Sequence, residues 1–412
     1  MSSLLTNNSA MVALQTMRAI GRDLGDVQNQ ISTGKRIATA RDNAALWSIA
    51  SVMKSDVTGF KAISESLSLG VATLNVARDG AETVARVLDT LKGRVVAAQE
   101  ENVDRNKVQA DVDQLIDQVR VVVAGTQFNG LNALNDFRDV DVLASLNRTA
   151  VPDGADTLSP DWVRFQTHDL STKDGTAGTD PVTTTIAYVP TTAETGSVDE
   201  AAATAIEFEF AAREVATGDS YALTLTPDAG DPKTYIYVAA PGDTLNTVVR
   251  GLALQMSLDA PDDTGGTVTV ATPGDPTTTA PKLSFAGGVA YTALVEVNSG
   301  GTPTGRLRGL DKFDVTSAVG AAAALGAMES YIEAAISAAA EFGSAQGAMD
   351  TADRFVGRMI DSLTEGVGAL VDADMESASA RLQALQVQQQ LGVQALNIAN
   401  QTPQNILALF QQ

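Results

Sequence analysis

The 412-residue chain contains no cysteine and a single histidine. Without Cys there is no disulfide framework, no thiolate metal site and no thiol nucleophile. With His168 alone there is no multi-histidine metal site and little for imidazole acid–base chemistry. No apolar run reaches the roughly 18 residues of a membrane span. The amino terminus, Met1-Ser2-Ser3-Leu4-Leu5-Thr6-Asn7-Asn8, lacks the basic start and apolar stretch of a cleaved secretory signal. Basic residues are scarce beside acidic ones: 28 Lys and Arg face 50 Asp and Glu, a formal net charge of −22. Such a surface repels phosphate backbones and anionic lipid, which argues against nucleic-acid binding and membrane insertion. Together these absences point away from an enzyme, and no catalytic residue, cofactor or metal is expected.

Proline is absent from the first 151 residues and from 304–402, while twelve of the 13 fall between Pro152 and Pro303. Proline costs a helix interior about 3 kcal/mol, so two proline-free flanks read as long helices around a different centre. The centre is also acidic, with 9 basic and 22 acidic residues in 141–310. In the first flank Met11, Leu14, Met17, Ile20, Leu24, Val27 and Ile31 recur at spacings of three and four, one apolar stripe on a helix. Ser32-Thr33-Gly34 interrupts it. A second helix is expected from Ala44 to about Gln99 with Asp42 as its N-cap, and a third after Asp104. In the second flank Val371, Met375, Ala378, Leu382 and Leu385 follow a heptad rhythm, resumed by Leu396 and Ala399.

The centre alternates with period two at Ile206–Phe210 and Tyr221–Leu225, and Tyr235–Val238, Thr267–Val270 and Leu294–Val297 read as further strands. Turns are expected at 227–232 and 261–266, and a helix capped by Asp243 from Thr244 to about Ser257. The Thr-, Gly- and Pro-rich stretches Ser171–Thr185 and Ala271–Ala280 read as loops and as candidate O-glycan acceptors. The fold class is therefore mainly α with an α+β insert: long antiparallel helices or a coiled coil from both termini, and a central β-rich domain. Helices of about 42 Å (Leu4–Ile31) and about 83 Å (Ala44–Gln99) are too long to bury their stripes in one compact globule, which describes a subunit of a polymer. An intramolecular helical bundle with a β insert fits the same pattern.

Three separated stretches resemble the bacterial flagellins. Gln30-Ile31-Ser32-Thr33-Gly34-Lys35-Arg36-Ile37 with Ala40–Ala45 is similar to the family's N-terminal signature. Thr126-Gln127-Phe128-Asn129-Gly130 resembles the segment that closes its N-terminal helical core, and Ala399–Leu409 its C-terminal tail. Asp372-Ala373-Asp374-Met375 stands in the place of its acidic motif before the last helix. The resemblance implies an inner filament-core helical domain from 1–40 and 371–412, a helical middle domain with a β-hairpin from 41–142 and 311–370, and a variable outer domain at 143–310. It implies self-assembly into a helical filament outside the cell and export unfolded through the flagellar secretion apparatus. The implied partners are further copies of the chain, an export chaperone on the last ~40 residues, and filament cap and hook-junction proteins. A hook–filament junction protein shares such helical ends, and an adhesin or enzyme displayed on this scaffold is the alternative from another class.

On this reading Leu14, Met17, Leu24, Val27, Ile31, Leu382, Leu385 and Leu396 bury between subunits, while Asn400, Gln401 and Gln404 line the inner channel or bond across it. Asp372 and Asp374 are not a catalytic pair, because side chains two apart on a helix diverge; a helix-start role suits them. Members of the family are ligands of an animal innate-immune receptor, and the matching stretch here is Leu91–Gln99. Arg94 and Gln99 agree with it, but Lys92, Gly93 and Val96 stand where it has Arg, Val and Leu, and Asp111 replaces a Glu. Lysine lacks the planar guanidinium fork and Gly93 loosens the helix, so weak or absent receptor activation is implied. His168 reads as a packed or exposed aromatic. The His-Glu-x-x-His motif of protease-bearing members is absent, and Asp228/Asp231 and Asp262/Asp263 lack a calcium-loop spacing.

Overall fold

The computed structural model describes residues 7–149, 157–181, 186–190, 205–210, 213–227, 231–263, 267–271, 281–286 and 291–410. The helices are α1 (Asn8–Thr33), α2 (Ala44–Ala97), α3 (Arg105–Gly125), α4 (Leu245–Asp263), α5 (Ala318–Val371) and α6 (Met375–Phe410). The strands are β1 (Gln127–Phe128), β2 (Leu131–Asn132), β3 (Asp139–Thr149), β4 (Thr157–Gln166), β5 (Asp180–Pro181) and β6 (Ile186–Pro190). They continue with β7 (Ala205–Phe210), β8 (Ser220–Pro227), β9 (Lys233–Val238), β10 (Thr267–Ala271), β11 (Lys282–Ala286) and β12 (Tyr291–Ser299). The chain forms two compact units, one of Met1–Glu65, Ser145–Asp161 and Ala352–Gln412, the other of Ser66–Ala144 and Trp162–Thr351. Their boundaries fall inside α2, β3, β4 and α5.

In the second unit, α2 buries Leu67, Leu74, Ala81, Leu88 and Val95 at heptad spacing, with Val84 and Leu91 between them. Helix α5 buries mostly small residues, Ala321, Ala324, Ala327, Ala335 and Ala338, together with Met328, Tyr331 and Phe342. A stretch of α5 is long and apolar enough by composition to cross a membrane. Of that stretch 39% is buried inside the protein. Helix α3 buries Val112, Ile116, Val119 and Val123 and ends at Thr126. There Asn129 (φ 50°) and Gly130 (φ 81°) make the tight turn of the β1–β2 hairpin, a backbone shape that Asn and Gly adopt at least cost.

The insert holds two four-stranded antiparallel sheets, in the orders β10-β11-β7-β6 and β5-β12-β8-β9. Helix α4 packs on both, and Phe208, Phe210, Tyr221, Leu223, Val248, Leu252, Leu283 and Phe285 close one core. The five expected strands are present; β3, β4, β6, β11 and the two-residue β5 are additions. Helix α4 differs from expectation at both ends. Asp243 does not cap it: its carboxylate accepts from Tyr237 Oη (2.9 Å) and the Ala240 amide (2.8 Å), closing the preceding turn, so Thr244 takes the capping position. The helix also runs through Pro261 to Asp263, where a turn was expected, because proline near a helix end removes only one hydrogen bond. Asp228 lies outside the described residues, as do 272–280 of the second expected loop.

His168 is 2% exposed, its ring edge-on to Phe342 with centroids 5.1 Å apart. Nε2 lies 3.0 Å from Glu341 Oε2 but out of line for a hydrogen bond, and makes none. Burial pulls the imidazole pKa below its usual 6.5; Glu341 opposes this and Arg306 adds to it. A depressed folded-state value means that the unfolded chain protonates first as pH falls. Stability is therefore independent of His168 above about pH 6.5 and is lost as pH drops from there through the folded value. Melting of the wild type and of His168→Phe, compared from about pH 8 to pH 5, should show the wild type losing ground to the variant only below about pH 6.5. Parallel curves would mean that the imidazole stays neutral in both states or charged in both.

Candidate assembly surface

Helices α1 and α6 pack antiparallel, with Asn7 beside Ala399 at one end and Gly34 beside Ala373 at the other. Their seam buries Ile20, Val27, Ala378 and Leu385, with Leu24, Ile31 and Leu382 packed against it. The far end is tied by one side chain. Pro403 has no amide hydrogen to give the Ala399 carbonyl four residues back, and Asn7 Nδ2 donates to that carbonyl instead (2.9 Å). The same Asn7 caps α1, its Oδ1 accepting from the Ala10 amide at 3.1 Å.

The near end explains the signature around Gly34. That residue ends α1 in the left-handed region (φ 65°), which glycine enters without a Cβ penalty. The freed chain then pairs with the end of α5: the Arg36 and Ile37 amides donate to the Val371 carbonyl (2.7 and 3.2 Å), and Ala373 donates to Gly34 (3.0 Å). Arg36 Nη2 adds a bond to the Leu370 carbonyl (2.9 Å). Ile37 packs with Ala50, Val367 and Val371 below it. Asp42 is not the cap of α2. Its carboxylate accepts from the Thr39 and Ala38 amides and the Thr39 hydroxyl, which holds its pKa below the usual carboxylate range, the Thr39 amide contributing most. Asn43 is the cap, accepting from the Leu46 amide at 3.1 Å. Asp374 caps α6, accepting from Glu376 and Ser377 amides (3.1 and 3.2 Å), the helix-start role expected of it. Asp372 instead forms an isolated antiparallel backbone β-bridge with Lys35.

The expected heptad run from Val371 is thereby corrected. Residues 372–374 separate α5 from α6, so Val371 joins the cluster around Ile37 and only Ala378, Leu382 and Leu385 face α1. Of the eight apolar residues singled out in the sequence, Leu24, Val27, Ile31, Leu382 and Leu385 are taken up inside the subunit. Met17 and Leu396 are half-buried and Leu14 is 42% exposed. A second apolar set, most of it absent from the sequence expectation, faces outward: Met11, Val12, Val387, Leu391, Val393 and Ile398. The extra signal was legible, since these residues interrupt the polar face of helices rich in Gln and Asn. Asn400 and Gln401 are exposed, and Gln404 lies in α6 with its side chain outside the described residues.

In the stretch from Leu91, Leu91 and Val95 are core, Gly93 and Val96 are exposed, and the charged residues are engaged. Lys92 Nζ lies 2.7 Å from Glu329, which raises its pKa, and Arg94 Nε lies 3.6 Å from Asp111. Among the described residues no group of three His, Cys, Asp or Glu side chains converges.

Residues 4–138 match the model of the bacterial flagellin N-terminal helical region, and 325–410 that of the C-terminal helical region. Flagellin A of Rhizobium meliloti is 34% identical over 417 aligned residues, covering all of both chains, and Flagellin D of the same organism is 32% identical, again end to end. The solved structure of flagellar hook associated protein-3 from Legionella pneumophila aligns over 78% of this chain and 98% of its own, at 12% identity and a TM-score of 0.36, too low to weigh on the assignment. Matched end to end by these relatives, the chain belongs to the bacterial flagellins, structural subunits that assemble into the extracellular flagellar filament used for swimming.

Proposed function

We propose that a subunit meets its neighbours through the outward apolar set on α1 and α6, namely Met11, Val12, Leu14, Val387, Leu391, Val393 and Ile398, while the α1–α6 seam holds the two arms in register. The observation that carries this is a set of exposed apolar residues on a helix pair whose mutual seam is already filled; exposed apolar surface of this kind marks an interaction site. Met17, Leu24, Val27, Ile31, Leu382, Leu385 and Leu396 serve assembly by building that pair. Asn400, Gln401 and Gln404 line the channel. The layers run from the core (1–40 and 371–412) through the middle (41–142 and 311–370) to the outer domain (143–310). The subunit has no enzymatic activity. It leaves the cell unfolded through the flagellar secretion apparatus, an export chaperone holding the last ~40 residues, and contacts cap and hook-junction proteins at the filament ends. Purified full-length chain added to short filament seeds should elongate them in electron micrographs, and a chain lacking 1–31 and 382–412 should stay soluble. Elongation by the truncated chain would sink the reading.

Weak activation of the innate-immune receptor follows from the same helices. Lys92 is drawn to Glu329 and carries no planar fork, and Val96 presents a shorter side chain than leucine. A reporter-cell titration with purified monomer should give little signal; a full-strength response overturns this.

A further inference from the structure

The tip of the α1–α6 pair is held differently from its base. No charged side chain occurs in the first 17 residues or in the last 31, so no ion pair between side chains joins the helices there. The apolar seam thins in the same direction. It is filled from Ile31 and Ala378 to Ile20 and Leu385. Near Gly392 a Cβ would still lie 3.6 Å from Met17 Cγ and 4.0 Å from Ile20 Cδ1. Beyond it Ala10, Ala13 and Leu396 are half-buried, and Ala399 is 9% exposed. Alanine offers little apolar area to bury.

At this thin end Asn7 uses both ends of its amide. Oδ1 caps α1 through the Ala10 amide, and Nδ2 donates to the Ala399 carbonyl of α6. The second bond exists because of Pro403. Within α6 the amide of residue 403 is the one that would bond to Ala399. Proline has no amide hydrogen, and its ring crowds that carbonyl. An acceptor freed in one helix thus meets a donor fixed by the cap of the other, 392 residues away in sequence. Ser, Thr or Asp would cap α1 as well, but only Asn adds an amide donor on a separate atom.

We infer that Asn7 is a positioning residue for subunit addition, fixing the register of α1 against α6 at the tip. Met11, Val12 and Leu14 on one helix and Leu391, Val393 and Ile398 on the other then meet the incoming subunit as one set. This rests on the outward residues being the subunit interface. A slip of one residue, about 1.5 Å, divides the set without unfolding either helix.

The test is the critical concentration for elongation of short filament seeds by the full-length chain. Asn7→Ser keeps the cap and adds no charge, but its Oγ stands one bond short of the Nδ2 position. Its critical concentration should rise about tenfold, with circular dichroism of the monomer unchanged. Spin labels at Ser9→Cys and Ala395→Cys, exposed positions in a chain without cysteine, should show a broader distance distribution once Asn7→Ser is added. Adding Pro403→Ala to Asn7→Ser supplies Ala399 with an amide from its own helix but no link to α1, and should restore neither readout. Elongation of Asn7→Ser at the wild-type concentration, an unchanged label distance, or recovery in the double variant overturns the inference. In the last case the bond only satisfies a stranded carbonyl. Leu391→Asp and Ile398→Asp run alongside separate the two levels. If they elongate normally, the interface reading falls and this inference with it; if they stop while Asn7→Ser elongates normally, only the positioning role falls.

Discussion

Offered short filament seeds, a Leu385→Asp subunit should add nothing to them and should also lose helix as a monomer. Leu385 is buried among Ile20, Val27 and Ala378, and a carboxylate there has no cation to pair with in that cluster. An unpaired buried charge costs several kcal/mol, enough to separate a pair of helices held by a narrow seam. Leu391→Asp and Ile398→Asp should behave differently. These residues are 57% and 66% exposed, so the monomer's circular dichroism and melting should change by less than about 0.5 kcal/mol, yet elongation should stop. The contrast separates the contacts that build the arm from those that join arms. Normal elongation by Leu391→Asp and Ile398→Asp would remove the outward face from the interface. An unfolded Leu391→Asp monomer would place that face inside the fold instead.

The second large effect belongs to a glycine. A Cβ at Gly80 would lie 2.4 Å from Thr126 Oγ1, 2.6 Å from its Cγ2 and 2.9 Å from Leu134. Thr126 cannot retreat freely, because its hydroxyl donates to the Val122 carbonyl at 2.7 Å and its amide to the same oxygen at 3.0 Å, closing α3. Gly80→Ala should therefore cost about 1–3 kcal/mol through overpacking, read as a drop of several degrees in the melting of purified monomer. Gly93→Ala on the same helix should do the reverse. Nothing lies within 4 Å of its would-be Cβ, so alanine's helix preference should stabilise by up to about 1 kcal/mol. Equal effects at the two sites would show that helix propensity, not the Thr126 contact, governs both.

Local signals carried much of the architecture because they depend on neighbours in sequence. The stripe from Met11 to Ile31 lies on one helix, and Gly34 ends it through its own φ. The turn at Asn129-Gly130 and the strand in which Val140 and Val142 alternate with Asp139 and Asp141 rest on equally local signals, although neither was among the elements expected from the pattern. Capping was harder to place by one residue. Asp42 and Asp243 have the right chemistry for a cap, but each is spent on the turn before its helix, and only the three-dimensional path of that turn shows it.

Composition and pattern by themselves determined two helical arms, an acidic α+β centre and the absence of residues for thiol or multi-histidine chemistry. The family signatures at both ends were equally legible, since they are strings of residues. The tertiary structure alone decided which side of each stripe is spent inside the subunit, because a helix buries whichever face its partner covers, and the partner of α1 stands at the opposite end of the chain. It also decided that Gln255 and Arg306 line one cavity: α4 and the segment after β12 are distant in sequence, and only packing brings the two residues together.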